Sequence, residues 1–150
     1  MHTVFRISGA VSHALHGIVY LVAHTEGPVT IAEIASALNV SENSLSKVFQ
    51  RLAKAGYLKS VRGPEGGFVL GRRPDKISLL DIYEAIEGHF TESTCLLSAP
   101  VCGRKNCIFG GLLKKINHEL GEYLSKKKLS GLTYLFKKRK DVRGAAFKKP

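Results

Sequence analysis

The chain has 150 residues, of which 44% are hydrophobic and 23% are charged, and its formal net charge is +11. This composition is typical of a globular protein with its own core, and the sequence has no run of about 18 apolar residues that could span a membrane. The N-terminus lacks the basic start, the continuous apolar stretch and the small-residue cleavage site of a secretion signal. We therefore expect a cytoplasmic protein.

The positive charge is concentrated at the C-terminus. Ten basic residues and one acid lie between Lys126 and Pro150, whereas the preceding 125 residues carry thirteen basic and eleven acidic side chains. A basic tail of this kind is more often a solvated end than a specific binding site. The net charge alone therefore does not establish a nucleic-acid-binding protein.

The first two predicted elements are helices. Apolar residues recur at helical spacing from Val4 to Ala23, which predicts one amphipathic helix. Thr30 and Glu33 form a capping-box pattern, which predicts a short second helix that runs through Ala37.

The third predicted helix follows a tight turn. It begins after Ser41, a preferred N-cap residue, and ends near Gly56. One of its faces is apolar, and the other is polar and basic with no acid after Glu42. A polar helix face by itself is more often merely solvated, but a second helix of this kind after a tight turn is what reading the DNA major groove requires.

A β-hairpin is predicted next. Residues 57–61 and 68–70 have strand character, and the glycine-rich segment Arg62-Gly63-Pro64-Glu65-Gly66-Gly67 joins them. Glycine allows the backbone to approach a phosphate closely, and Arg62 is placed to reach it. A helix, a helix-turn-helix and a hairpin in this order predict a winged helix.

The remainder of the chain is predicted to contain two helices and a loop. Ser78 and Asp81 form a capping pattern that predicts a helix through Glu87. Residues 88–107 have no regular period, and an amphipathic helix follows them. A lone apolar helix outside a closed domain commonly packs against another copy of the chain. We therefore divide the chain into a winged-helix DNA-binding domain at 1–87, a cysteine loop at 88–107, a dimerisation helix at 108–135 and a basic, disordered tail at 136–150.

The loop contains the three cysteines of the chain, Cys95, Cys102 and Cys107. Clustered thiols without an export signal suggest metal or redox ligands rather than disulfides. Their spacing lacks the CxxC pair of most structural zinc sites and suits thiolates that wrap around a multi-iron cluster. Incidental thiols without a metal are the alternative, and three cysteines leave a fourth ligand to be found.

Together these features resemble the Rrf-type winged-helix transcription regulators, the family of IscR, NsrR and CymR. The resemblance covers roughly residues 4–135, and its most specific motif is the wing, from Val61 to Gly67. It implies a mainly α fold with a small β-hairpin and a long C-terminal dimerisation helix. It also implies a homodimer that binds a near-palindromic operator in double-stranded DNA.

The resemblance implies the following site residues. DNA contacts are expected from the third helix and from the wing, which would enter the minor groove: Asn43, Ser44, Lys47, Arg51, Arg62, Gly63 and Gly66. The three cysteines would hold an iron-sulfur cluster of the 2Fe-2S or 4Fe-4S type, as in the cluster-bearing branch of the family. Loss or modification of that cluster would move the loop and helix 78–87, and so change the spacing of the recognition helices.

The fourth ligand departs from the family pattern. The IscR-like branch has a histidine three residues after the third cysteine, where this chain has Gly110. Nitric oxide sensors of the family use an acid on the first helix of the other subunit, where this chain has Ser12. His16, one turn later, is the candidate ligand and His13 a weaker one, although a histidine on an apolar helix is more often a core or interface residue.

Three classes of function follow from these patterns. The expected one is a repressor that senses redox state, nitric oxide or iron-sulfur status through a cluster. A winged-helix regulator without a cluster, controlled by zinc, thiol oxidation or a partner protein, is the alternative. An enzyme is disfavoured because the sequence has no Ser-His-Asp order, phosphate loop or HExxH motif.

Overall fold

A computed structural model describes residues 7–97, 101–102 and 107–136. Its elements in chain order are α1 (Gly9–Ala23), α2 (Ile31–Leu38), α3 (Glu42–Lys54), β1 (Leu58–Val61), β2 (Gly67–Leu70), a 3-10 turn (Pro74–Lys76), α4 (Leu79–Glu87), α5 (Leu112–Lys126) and a C-terminal 3-10 helix (Leu129–Leu135). The described part of the chain is therefore mainly helical with one antiparallel hairpin, as the sequence predicts. None of the described helices is long and apolar enough to cross a membrane.

The two capping patterns form to different extents. Ser78 and Asp81 make a complete capping box at the start of α4. At α2, Thr30 accepts a hydrogen bond from the Glu33 amide, but the Glu33 carboxylate accepts one from the Tyr20 hydroxyl at 3.0 Å. Burial, together with the hydrogen bond to Glu33 and its charge, raises the pKa of Tyr20, which keeps this phenol protonated as a donor. Glu33 thus links α2 to α1 instead of completing its own cap.

Helix α1 lies at the centre of the core and contacts α2, α3, α4, β2 and the C-terminal 3-10 helix. It begins at Gly9 because the Ser8 side chain accepts a hydrogen bond from the Val11 amide; residues 4–6 of the predicted helix lie outside the described residues. Helices α1 and α3 approach closely at Gly17, where a Cβ atom would stand 2.6 Å from the Phe49 ring. The fully buried Phe49 brings α1 and α3 into one hydrophobic core.

The hairpin is anchored to the chain that enters α2. Strands β1 and β2 pair antiparallel, with Leu58 opposite Leu70 and Val61 opposite Gly67. On the other side of β2, the amide of Phe68 donates to the carbonyl of Val29 at 2.9 Å, and the amide of Val29 donates back at 3.0 Å. These two hydrogen bonds fix the direction in which the wing leaves the core.

The segment predicted as one helix over 108–135 forms two elements. Helix α5 ends at Lys126, and the chain then runs extended so that the Leu129 amide donates to the Ile77 carbonyl at 3.0 Å. The C-terminal 3-10 helix follows and packs on α1 with Leu129 and Leu132 buried. Burial of an aliphatic side chain contributes about 1.5–3 kcal/mol, which a continued α5 projecting into water would forgo.

Candidate nucleic-acid interface and cysteine pocket

Helix α3 presents a polar surface because its apolar residues face the core. Leu45, Val48, Phe49 and Leu52 are buried. Asn43, Ser44 and Lys47 are exposed on the opposite side, as the sequence predicts. Gln50 and Lys54 are exposed as well. The outer surface of α3 therefore offers amides, hydroxyls and cations, which are the groups that hydrogen-bond to bases and phosphates.

Arg51 differs from its neighbours on α3. The residue is exposed, but its guanidinium group donates a hydrogen bond to the carbonyl oxygen of Ile86, in the last turn of α4. Carbonyls at the end of a helix lack partners within the helix, and a cation there interacts favourably with the helix dipole. Its place on the helix face predicted a DNA contact, whereas the structure gives Arg51 a partner within the chain.

The wing brings Arg62, Gly63 and Gly66 together at its tip. Arg62 and Gly63 are exposed. The Gly66 amide donates to the Gly63 carbonyl at 2.9 Å, and a Cβ atom at Gly66 would stand 2.5 Å from the Val61 carbonyl oxygen. The closed turn therefore excludes a side chain at Gly66 and leaves Arg62 free to extend outward.

The three cysteines line one pocket of about 430 Å³, which they share with Thr94, Gly110, Gly111 and Lys114. All three thiols are free and half-buried. The Leu97 amide nitrogen lies 3.4 Å from the Sγ atom of Cys95 and donates to it. The sequence did not single out Lys114, whose cation can offset the negative charge of nearby thiolates. Its place in the first turn of the helix after Cys107 was the available signal.

The donors around this pocket are three cysteine thiols, the donor type that holds both zinc ions and iron-sulfur clusters. Among the described residues, no group of three or more His, Cys, Asp or Glu side chains is gathered closely enough to hold one metal ion. All the ligands of one zinc ion lie about 2.0–2.3 Å from it, whereas the cysteine ligands of a cluster bind different irons and stand further apart. The thiols of this pocket are donors of the kind that a cluster takes, and they line one cavity.

His16 lies apart from the cysteines within the described chain. It is exposed on α1 and lines a different pocket of about 190 Å³, together with Ser12 and His13. Its Nδ1 atom lies 2.8 Å from the carbonyl oxygen of Ser12. A histidine held through one ring nitrogen presents the other to a further partner, which is the usual arrangement of metal-binding histidines.

Helix α5 has an apolar surface that no described residue of the chain covers. Leu112, Ile116 and Tyr123 are 50%, 41% and 58% exposed, respectively. Ile108, just before the helix, is 90% exposed. The opposite side of α5 packs against α4. Contiguous exposed apolar residues on a helix mark an interaction surface more often than an ordinary solvated face.

Comparison with known proteins identifies the family. A family model for Rrf2, described as an iron-dependent transcriptional regulator, matches residues 7–134. The chain belongs to the Rrf2 family. This confirms the resemblance inferred from the wing motif and the order of elements.

Sequence relatives of this Rrf2 protein include the transcriptional regulators IscR of Aliivibrio salmonicida and NsrR of Bacillus subtilis. The first is 31% identical over 66% of this chain and 59% of its own length, and the second is 30% identical over 72% and 80%. The matched part of the chain spans less than two thirds of the length of this IscR and of several other curated relatives. These relatives are named as transcriptional regulators, which agrees with the expected non-enzymatic role.

A solved structure confirms the fold. CymR of Bacillus subtilis, described as a global cysteine regulator, superposes on this Rrf2 protein with a TM-score of 0.74 and 29% identity. The superposition covers 87% of this chain and 98% of CymR. The winged-helix prediction is therefore correct.

Proposed function

We propose that this Rrf2 protein is a homodimeric repressor that binds a double-stranded DNA operator. Its affinity for that operator would be controlled by an iron-sulfur cluster of the 2Fe-2S or 4Fe-4S type. The proposal rests on the observation that Cys95, Cys102 and Cys107 line one pocket. The same chain has a helix-turn-helix and a wing, which are the elements of a DNA-binding winged helix. The iron dependence in the description of the family supports an iron-containing site. The proposed place of action is the cytoplasm, where the operator lies.

The proposed DNA contacts lie on two elements. Asn43, Ser44 and Lys47 on α3 would enter the major groove, where amides and hydroxyls read base edges and lysine binds phosphates. Arg62 would extend from the wing into the minor groove, and the backbone at Gly63 and Gly66 would approach the phosphates closely. A dimer would present two such surfaces to the two halves of an operator.

Lys47→Ala is expected to weaken DNA binding by on the order of tenfold and to lower the slope of log affinity against log salt by about 0.9, because one phosphate contact is lost. Fluorescence anisotropy titrations at several salt concentrations measure both quantities. Lys76→Ala removes another exposed cation, from the 3-10 turn, and is the matched control. Equal losses in the two variants would contradict the proposed role of α3.

The cluster would be held by the three cysteine thiolates. When bound, it would supply a reactivity towards nitric oxide, oxygen or electrons that isolated thiols lack. The Leu97 amide, which donates to the Cys95 sulfur, and the cation of Lys114 are placed to stabilise negative charge there. We propose His16 of the partner subunit as the fourth ligand, because the bond from Nδ1 to Ser12 leaves Nε2 available.

An anaerobic absorption spectrum with iron and sulfide counts tests the cluster. Visible bands are expected in the wild type and are expected to be lost in Cys102→Ala, because a cluster deprived of one of its thiolates is no longer retained. His16→Ala is expected to lose iron faster than the wild type. His24→Ala is the control, since His24, the C-cap residue of α1, makes the same 2.8 Å contact to a backbone carbonyl, that of Tyr20. A protein that stays colourless after reconstitution would leave a winged-helix regulator controlled by zinc, thiol oxidation or a partner protein.

The exposed apolar surface of α5 is the proposed dimer interface. Ile116→Glu is expected to weaken the dimer at least about 100-fold, because a carboxylate buried without a partner costs several kcal/mol. Sedimentation velocity at several protein concentrations measures the change. Ser130→Glu adds the same charge at an exposed position of the C-terminal 3-10 helix and should leave the association unchanged. A dimer that persists in Ile116→Glu would place the interface elsewhere.

A further inference from the structure

The segment from Gly88 to Cys95, here called the strap, joins the end of α4 to the cysteine pocket. Its first half is held by α4. The Phe90 amide donates to the Glu84 carboxylate at 2.9 Å, and His89 Nδ1 lies 3.0 Å from the same oxygen. The Phe90 ring meets the Tyr83 ring edge-on at 5.6 Å. The start of the strap is therefore bound to the last two turns of α4.

The second half of the strap is held by α5. Asn117 is fully buried, and its side-chain amide donates to the Ser93 carbonyl. The Ser93 hydroxyl donates in turn to the carbonyl of Cys95 at 2.6 Å. The Phe90 ring lies against Gly121, where a Cβ atom would stand 3.0 Å from it. Cys95 is thus tied to α5 through Ser93, and to α4 through the first half of the strap.

The recognition helix is attached to the same end of α4. The Arg51 guanidinium donates to Ile86, two residues before the strap begins at Gly88. The Gly88 amide donates to the Glu84 carbonyl at 3.0 Å. Ile86, which accepts the hydrogen bond from Arg51, therefore lies in the same helical turn as the first residue of the strap. A displacement of the strap that alters this turn acts directly on the hydrogen bond from Arg51 of α3 to α4.

We infer that Arg51 is a positioning residue for α3 rather than a DNA contact, and that Arg51 and the strap transmit the state of the cysteine pocket to the recognition helix. The inference rests on the proposed function, because it takes the pocket and α3 to be the two linked sites. Linkage requires that DNA and the pocket ligand change each other's affinity by the same factor, typically about 5- to 150-fold. Arg51 sets the size of this factor, which is the change in DNA affinity that the pocket ligand causes.

The test compares DNA affinity with and without the cluster in the wild type, Arg51→Met and Lys47→Ala. Methionine keeps an unbranched apolar stem and removes every donor. In Arg51→Met the ratio of the two affinities is expected to fall to within about twofold of unity, with the salt slope unchanged. In Lys47→Ala the ratio should persist while both affinities fall and the slope decreases by about 0.9. Equal weakening of both forms by Arg51→Met, with a lower salt slope, would make Arg51 a DNA contact and overturn the inference.

Gly121→Ala is a second variant that changes neither the DNA surface nor a cysteine. The added methyl group requires the Phe90 ring to give by a few tenths of an ångström, whereas alanine itself favours the helix. The ratio of affinities is expected to fall towards unity in this variant, and the Phe90 amide should exchange its hydrogen faster. Gly9→Ala, at a helical position with open space around it, is the control. An unchanged ratio of affinities together with faster exchange at Phe90 would show that the strap does not transmit the state of the cysteine pocket to α3.

The two proposals fail in different ways. A protein that binds no cluster contradicts the proposed function, but the salt slope of Arg51→Met and the hydrogen exchange of its Gly88 amide still decide the role of Arg51. Faster exchange at Gly88, with weaker DNA binding and an unchanged slope, supports positioning. Unchanged exchange with a lower slope overturns it.

Discussion

Replacing Phe49 with alanine is expected to lower the free energy of unfolding by about 3–5 kcal/mol. The Phe49 ring is fully buried, closes the approach of α3 to α1 at Gly17 and meets the Phe68 ring edge-on at 5.3 Å. Its removal therefore leaves a cavity where α1, α3 and the wing meet. Since small proteins are stable by only about 5–15 kcal/mol, a large part of the stability is lost. Urea denaturation followed by circular dichroism measures the change.

Tyr134→Ala is the control for Phe49→Ala. Tyr134 is an aromatic residue that is 64% exposed on the C-terminal 3-10 helix, and its truncation should change the free energy of unfolding by less than about 0.5 kcal/mol. Similar effects of the two substitutions would mean that Phe49 does not join the three elements.

Gly67→Ala is expected to destabilise the protein by roughly 2–4 kcal/mol and to release the wing from the core. Gly67 has a φ of +152°, and a Cβ atom there would stand 2.5 Å from the Val29 carbonyl oxygen. That oxygen accepts the hydrogen bond from Phe68 that anchors β2, so the added methyl group and the anchor compete for the same space. Urea denaturation and hydrogen exchange at the amides of Val29 and Phe68 follow the two effects.

Gly63→Ala separates backbone strain from steric conflict. Gly63 also has a positive φ, +114°, but nothing lies within 4 Å of its would-be Cβ atom. Its replacement should therefore cost only about 1–2 kcal/mol of strain and leave exchange at Val29 and Phe68 unchanged. If Gly67→Ala behaved in the same way, the contact with Val29 would not anchor the wing.

Features that depend on neighbouring residues were predictable from the sequence. The capping box of Ser78 and Asp81 forms as predicted because both partners lie within one helical turn. The cap of α2 forms only in part, since the Glu33 carboxylate bonds to Tyr20, thirteen positions earlier in the chain. Periodicity and caps describe contacts within one turn, and the choice between a local and a distant partner depends on packing.

The structure of the C-terminal segment also depends on packing against a distant part of the chain. The sequence predicts one dimerisation helix over residues 108–135, but burial of Leu129 and Leu132 on α1 favours a separate element. Their spacing of three residues fits an α-helix as well as a 3-10 helix, so it does not distinguish the two. The surface that they cover belongs to α1, and no local pattern reveals it.

For the candidate sites, the sequence predicts which residues take part better than it predicts which partners those residues contact. Asn43, Ser44 and Lys47 lie on the exposed face that their spacing predicts. Arg51 belongs to the same face by spacing, yet it bonds to Ile86, because a long side chain near the end of α3 reaches the end of α4. The sequence predicted that the three cysteines act together, but it gave no sign that Lys114 joins them.

The packing of the C-terminal 3-10 helix on α1 has a consequence for synthesis. The apolar side of α1 leaves the ribosome well before Leu129 and Leu132, which cover part of it. The entropy of closing so long a loop grows only slowly with its length, so the equilibrium cost is modest. The delay matters more, because apolar surface exposed on a growing chain invites aggregation. A nascent chain that has not yet released Leu132 therefore presents an incomplete core to chaperones, because part of α1 is still uncovered.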